Sequence, residues 1–216
     1  SMIEINCETD FVAKNEVFIN FVEEVSQLSL AASGKIKDIL KSKMKNKKNV
    51  EENLVDLVSK IGEKITLRRS AFFENDKLLN FSYTHASIKK NIGKLGVLLS
   101  INTTKEKKDI INLGKQLAMQ VASSSPLAVE KKDLDPNILK KEKEIITEEL
   151  KNSGKNTKIV EKIAIGKLNK FIADNTLLNQ EWIIEPKKKV KDVLKEVAGK
   201  YKIEIKEFIR FKVGEG

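Results

Sequence analysis

Few residues in this chain are of the types that make and break bonds. Cys7 and His85 are each the only one of their kind. A cysteine–histidine pair would supply a nucleophile and its base, but no spacing ties these two together. One cysteine and one histidine exclude a multi-cysteine zinc site, a two-histidine zinc site and an intrachain disulfide. The glycine-rich loops that cradle nucleotide phosphates are absent, as are the zinc-protease helix motif and the nucleophile elbow. Most carboxylates sit beside lysines on helix faces, the pattern of a solvated surface. Covalent catalysis is therefore not expected, and no cofactor or metal is called for. Asp10 and Phe11 stand apart, because they fall in a polar strand-to-helix turn. Phe11 could fold back as a hydrophobic staple on the following helix. It could instead project as an apolar wedge, offered to a partner together with the carboxylate. Spacing alone leaves both open.

The elements that must position this pair can be read from periodicity. Ile3 to Cys7 alternates with period two and predicts a strand. After the turn, Phe18, Phe21, Val22, Val25 and Leu28 fall on one helical face, with Asn15 as N-cap and Gly34 just past the end. Residues 35–49 are lysine-rich and read as solvated. Leu54, Leu57, Val58 and Ile61 predict a short helix stopped by Gly62. Ile65 to Phe73 then reads as a strand. The order recurs in the second half: a short strand over Phe81–Thr84, a clearer one over Leu95–Ile101, then a helix carrying Ile110, Leu113, Leu117 and Val121. A last strand runs over Glu207–Val213. Strand, polar loop, amphipathic helix and later strand thus occur twice. The predicted class is α+β: two related subdomains, each a small antiparallel sheet with helices.

An insertion interrupts the second copy. Asp135-Pro136 is a helix start, with Asp as N-cap and Pro at the first helical position. Ile138, Ile145, Ile146 and Leu150 carry this helix to about Asn152, and Gly154 marks a turn. Ile159, Ile163, Ile165, Leu168, Phe171 and Ile172 form the return helix. This predicts an antiparallel helical hairpin over 135–175, used either for homodimer association or for packing on the body. The expected division is 1–78 for the first subdomain, 79–134 with 176–216 for the second, and 135–175 for the hairpin.

Composition narrows the partners. The chain of 216 residues carries a net charge of +10, yet only three of its 41 basic residues are arginine and 38 are lysine. Base readout leans on arginine forks, so direct nucleic-acid binding is not expected. The joint excess of Lys, Asn and Ile points to an AT-rich coding genome. No apolar run approaches the roughly 20 residues of a membrane span. Ser1-Met2, followed at once by a strand-like segment, reads as a tag remnant on a trimmed start.

The signature of the turn extends beyond two residues. Thr9-Asp10-Phe11-Val12-Ala13-Lys14-Asn15, preceded by Asn6-Cys7-Glu8, resembles that of the elongation factor Ts family. Ile61-Gly62-Glu63-Lys64-Ile65 followed by Arg68-Arg69 resembles a second family segment, with Lys64 in place of the usual Asn. Tyr83-Thr84-His85 and Ile92-Gly93-Lys94-Leu95-Gly96-Val97-Leu98 resemble a third, with a longer Ala86–Asn91 connection. Leu117-Ala118-Met119-Gln120-Val121-Ala122, Gly166 to Phe171, and the final Phe208 to Gly216 follow in order.

The resemblance implies a guanine-nucleotide exchange factor for the GTPase elongation factor Tu in translation elongation. It implies that Asp10, Phe11, Val12 and Ala13 enter the GTPase near its Mg²⁺ site, and that Thr9, Ile61, Gly62 and His85 make further partner contacts. For Ile61, Gly62 and His85, the residues themselves equally allow a core side chain, a helix-capping glycine and a satisfied strand-end histidine. The family's N-terminal helical domain has no counterpart here, so exchange stimulation is expected to fall below that of a full-length factor. An organelle of bacterial descent, or a bacterial cytoplasm, is the expected compartment. The rival readings are a lysine-rich RNA-binding module and a non-catalytic dimer built on the hairpin.

Overall fold

Three antiparallel sheets among the described residues, two of them backed by long helices, organise the chain, in accord with the α+β expectation. The computed structural model describes residues 1–75, 77–151 and 157–215. In the first sheet β1 (Met2–Asn6) pairs with β2 (Thr66–Ala71), with the register shifting between Glu4 and Ile5. Glu4 pairs with Arg69 and Ile5 with Leu67, so Arg68 is the extra residue of a bulge. Neighbours on a regular strand point to opposite faces. The bulge cancels that alternation, and both guanidinium groups reach the buried carboxylate of Glu4, at 3.0 Å from Arg68 and 2.6 Å from Arg69.

Between these strands come α1 (Asp10–Ala13), α2 (Glu16–Ala31), α3 (Ile36–Lys41) and α4 (Val50–Ile61). Asn15 caps α2 by accepting from the Val17 N–H at 2.8 Å. The inward face of α2 buries Phe18, Phe21 and Val25 against Val50, Leu57 and Ile65. Asn49 and Glu52 form a reciprocal capping box on α4, which ends at Gly62 in the left-handed region, φ +80°. Residues 35–49 depart from the solvated reading. Ile39 and Met44 are buried in the same cluster, and α3 carries the first of them. Met44 stands between Lys43 and Lys45, and Ile39 lies on α3 next to the partly buried Leu40, which packs on the same cluster.

The second sheet has the order β3-β4-β7, from β3 (Leu79–Lys89), β4 (Ile92–Thr103) and β7 (Ile203–Lys212). Strand β3 is longer than Phe81–Thr84, because the Ala86–Asn91 connection extends the hairpin. Positive φ at Ala86 and Asn91 and a register shift between Ser87 and Lys89 accommodate the added residues. Helix α5 (Lys107–Ser124) lies across the sheet with Ile110, Leu113, Leu117 and Val121 buried. Gly114 meets the Phe81 ring so closely that a Cβ there would collide.

Residues 176–202, in which periodicity predicts no element, complete this core. A 3₁₀ turn (Leu177–Asn179), the hairpin β5 (Glu181–Trp182) and β6 (Glu185–Lys189), and α8 (Val190–Ala198) bury Leu177, Trp182, Val190 and Leu194. The insertion consists of α6 (Pro136–Lys151) and α7 (Thr157–Asn175), joined by an ion pair between Glu149 and Lys167. The Asp135 carboxylate caps α6 by accepting from the Asn137 N–H at 2.8 Å. The predicted turn at Asn152 and Gly154 lies outside the described residues. Ile145, Ile159 and Ile165, counted in the apolar seam, are exposed instead. The seam is narrower than the apolar count, because Ile146 and Leu150 take the inward positions on α6. No helix among the described residues is long and apolar enough to cross a membrane.

The first and second sheets meet where Met2 of β1 touches Gly96 of β4. Beside this contact, Arg68 donates to the Glu215 carbonyl at 2.7 Å and Arg69 to the Lys212 carbonyl at 3.3 Å. The Arg69 guanidinium also lies over the Phe211 ring, 4.3 Å from its centroid.

Candidate functional site

Strand β1 stops at Asn6, and the next residues must turn before α2 begins. Thr9 has extended backbone angles and caps a single helical turn, its hydroxyl oxygen accepting from the Val12 N–H at 3.3 Å. The turn closes with Ala13 N–H donating to the Thr9 carbonyl at 3.2 Å and Asn15 N–H to the Val12 carbonyl at 2.9 Å. This local helix separates neighbouring side chains by direction. Val12 points inward and is 7% exposed, within the α2 and α4 cluster. Phe11 points outward and is 88% exposed, more than any other large hydrophobic residue described. Of the two readings the staple is excluded: Phe11 projects into solvent, and Val12 takes the inward role. Ala13 is half-buried between the two.

Asp10 lies beside Phe11 and is also exposed. The Lys94 ammonium from β4 donates to its carboxylate at 2.7 Å and holds the Asp10 carboxyl below its usual range. Cys7 donates to the Thr9 carbonyl at 3.4 Å, and burial raises its thiol, with Glu63 and Asp10 adding negative charge nearby. The Cys7 thiol is bonded to the Thr9 carbonyl and the His85 Nδ1 to the Tyr83 hydroxyl, so each has a partner other than the other. No group of three or more His, Cys, Asp or Glu able to hold a metal is found among the described residues.

Ile61 and Gly62 lie at the end of α4, directly before Glu63. The left-handed Gly62 turns the chain there, and a Cβ at this position would meet open space. Beyond it the Glu63 carboxylate accepts from the Thr9 hydroxyl at 2.6 Å and from the backbone N–H groups of Thr9 at 3.0 Å and Glu8 at 3.2 Å. The Thr9–Ala13 turn and the Ile61–Gly62 corner are thus neighbours joined by one side chain. His85 lies in β3 at the register position opposite Leu95, the residue after Lys94. It is exposed, its ring is stacked on Tyr83, and its Nδ1 is 3.1 Å from the Tyr83 hydroxyl. Thr9, Asp10, Phe11, Ile61 and Gly62 therefore gather at one corner, with His85 on the adjoining strand pair. Glu63 and Lys94 complete the arrangement. Both lie in the family-like segments, but nothing in their spacing marks them, because their partners are distant in sequence.

Comparison with known proteins gives a consistent result. A family model described as elongation factor TS matches residues 8–215. An elongation factor Ts from Nitrobacter hamburgensis is 37% identical over 217 residues, covering 100% of this chain and 70% of the relative. The proteins of the same name from Bartonella henselae and Rickettsia felis are 38% and 37% identical, again over 100% of this chain and 71% and 70% of theirs.

Proposed function

The chain belongs to the elongation factor Ts family of translation elongation factors, and from that premise we propose that it promotes GDP release from the GTPase elongation factor Tu. The observation that carries this reading is Phe11, an apolar ring fully offered to solvent on a braced helical turn beside a carboxylate. A ring so exposed contributes little to the fold and much to an interface, where buried aromatic anchors dominate the energy.

In this reading Phe11 enters the GTPase near its Mg²⁺ site and displaces the elements around it. Mg²⁺ requires near-octahedral ligands at about 2.0–2.1 Å and bridges the nucleotide phosphates to the protein. A small displacement is enough to weaken nucleotide binding. Asp10 exchanges its Lys94 partner for groups of the GTPase and disfavours the old metal environment. Val12 and Ala13 set the shape of the turn, while Thr9, Ile61, Gly62 and His85 supply the flanking contacts. No bond is made or broken. Reciprocity then requires that nucleotide weaken factor binding by the same free energy, so the ternary complex is short-lived.

The test is release of labelled GDP from elongation factor Tu. Phe11→Ala is expected to lower the stimulated rate by about 30-fold, the scale of an interface hot spot, with an unchanged melting temperature. Asp10→Ala is expected to lower it less. Unchanged release by both variants would sink the reading. Homodimerisation through α6 and α7 belongs to the same proposal, supported by the exposed Ile145, Ile159 and Ile165. Sedimentation of an Ile145→Lys variant tests it, with loss of the dimer expected.

A further inference from the structure

We propose that Glu63 is a positioning residue for exchange, a role that rests on the reading above: its carboxylate fixes the Asp10–Phe11 turn through the backbone and joins it to the Ile61–Gly62 corner. Phe11 is 88% exposed, so packing against described residues does little to hold the ring in place. Its direction is set by the backbone of α1 alone. That helix has four residues, far below the length at which a helix is stable by itself. Something outside it must hold its first turn.

Glu63 meets that requirement. Its Oε2 accepts the N–H groups of Glu8 and Thr9, and its Oε1 accepts the Thr9 hydroxyl. The Thr9 hydroxyl oxygen in turn accepts the Val12 N–H, an orphan donor of the first turn. One carboxylate thus fixes the cap, and the cap fixes the helix. Bonds from neutral donors to a charged acceptor are roughly twice as strong as neutral ones. Gly62 at positive φ turns the chain so that residue 63 faces the β1–α1 connection. Two partner-facing segments more than fifty residues apart are thereby held as one edge. A wedge held in this way loses less freedom on binding.

Substitutions separate geometry from charge. Glu63→Gln retains an oxygen for the two N–H groups and an amide that donates to the Thr9 hydroxyl. Glu63→Asp keeps the charge but withdraws it by one methylene. Glu63→Ala removes the contact. Maximal GDP release at saturating factor is expected to fall about 10-fold for Ala and Asp and to stay within about 3-fold for Gln, a misplacement effect of ordinary size. In a Phe11→Ala background, Glu63→Ala is expected to cause a clearly smaller loss than in the parent, the remainder arising through Asp10 and the Ile61–Gly62 corner, because most of its effect acts through the Phe11 ring.

Full release by Glu63→Ala, or equal losses from Glu63→Ala with and without Phe11, would overturn the role. So would a variant order in which Asp works and Gln fails, since that order marks a direct charge contact with the partner. Amide hydrogen exchange at Glu8 and Thr9, read on the factor alone, decides the matter if Phe11→Ala shows that the exchange reading itself is wrong. Faster exchange in the Ala variant than in the Gln variant is expected, and equal exchange in the two would refute the proposal.

Discussion

Two glutamates hold the first sheet in different ways, Glu4 from the middle of β1 and Glu63 from the connection that leads into β2. Glu4 is buried, takes two guanidinium groups, and lies where the first sheet meets the end of β7. Glu63 is half-buried, takes neutral N–H and hydroxyl donors, and lies where β1 gives way to the exposed turn. The first carboxylate cannot lose a partner without leaving a charge out of water. The second can, because solvent reaches it. Burial thus assigns Glu4 to stability and Glu63 to the placement of a ring that stability does not need.

The largest expected effect breaks the Glu4 junction. Arg69→Ala leaves the buried carboxylate with Arg68 alone and removes the Phe211 contact. It is expected to cost about 3 kcal/mol in denaturant unfolding. A melting curve matching the parent would show that Glu4 is not the stabilising partner of the pair. Val12→Ala comes next, because it truncates the buried residue beneath the turn. A loss of about 2 kcal/mol is expected, with a smaller fall in GDP release than Phe11→Ala produces.

The smallest effect is electrostatic. Lys94 holds the Asp10 carboxyl below its ordinary value of 3.8. A depressed carboxyl favours the folded state above its unfolded pKa, and that contribution is lost as pH falls through the folded value. Both groups are exposed, so stability is expected to change little. Lys94→Ala should move the Asp10 titration, followed by NMR, up toward 3.8. An unmoved titration would mean that Lys94 does not govern Asp10.

Much of this arrangement was legible in the residues. The stripes of α2, α4 and α5, the Asn15 cap and the Gly62 stop are local signals, and local physics honours them. Residues 176–202 were not legible, because Leu177, Trp182, Val190 and Leu194 are scattered over a 3₁₀ turn, a short hairpin and a short helix, with no shared period. Ile39 and Met44 are hidden for another reason, because the few apolar residues of 36–44 are outnumbered by the charged and polar residues around them. At the site, Asp10 and Phe11 could be singled out but not aimed. Whether Phe11 folds back or projects depends on Val12 claiming the inward position, and Val12 does so because α1 is a helical turn capped by Thr9. That cap is held from Glu63, on the far side of four helices, and no local window contains both residues.

The placement of β7 has a consequence for the order of folding. Leu95 of β4 pairs with Lys212 of β7 across more than half the chain, and Arg69 reaches the same end of that strand. Closing a longer loop adds only about 0.6 kcal/mol per doubling of its length, so inserting α6 and α7 into this excursion weakens the final structure little. The burden falls on time instead, because distant pairings form slowly. The first sheet and its helices involve nearer contacts and can assemble early. The contact of Arg69 with the Lys212 carbonyl spans more than 140 residues and is expected to form late, joining the first sheet to a strand that has already found its own.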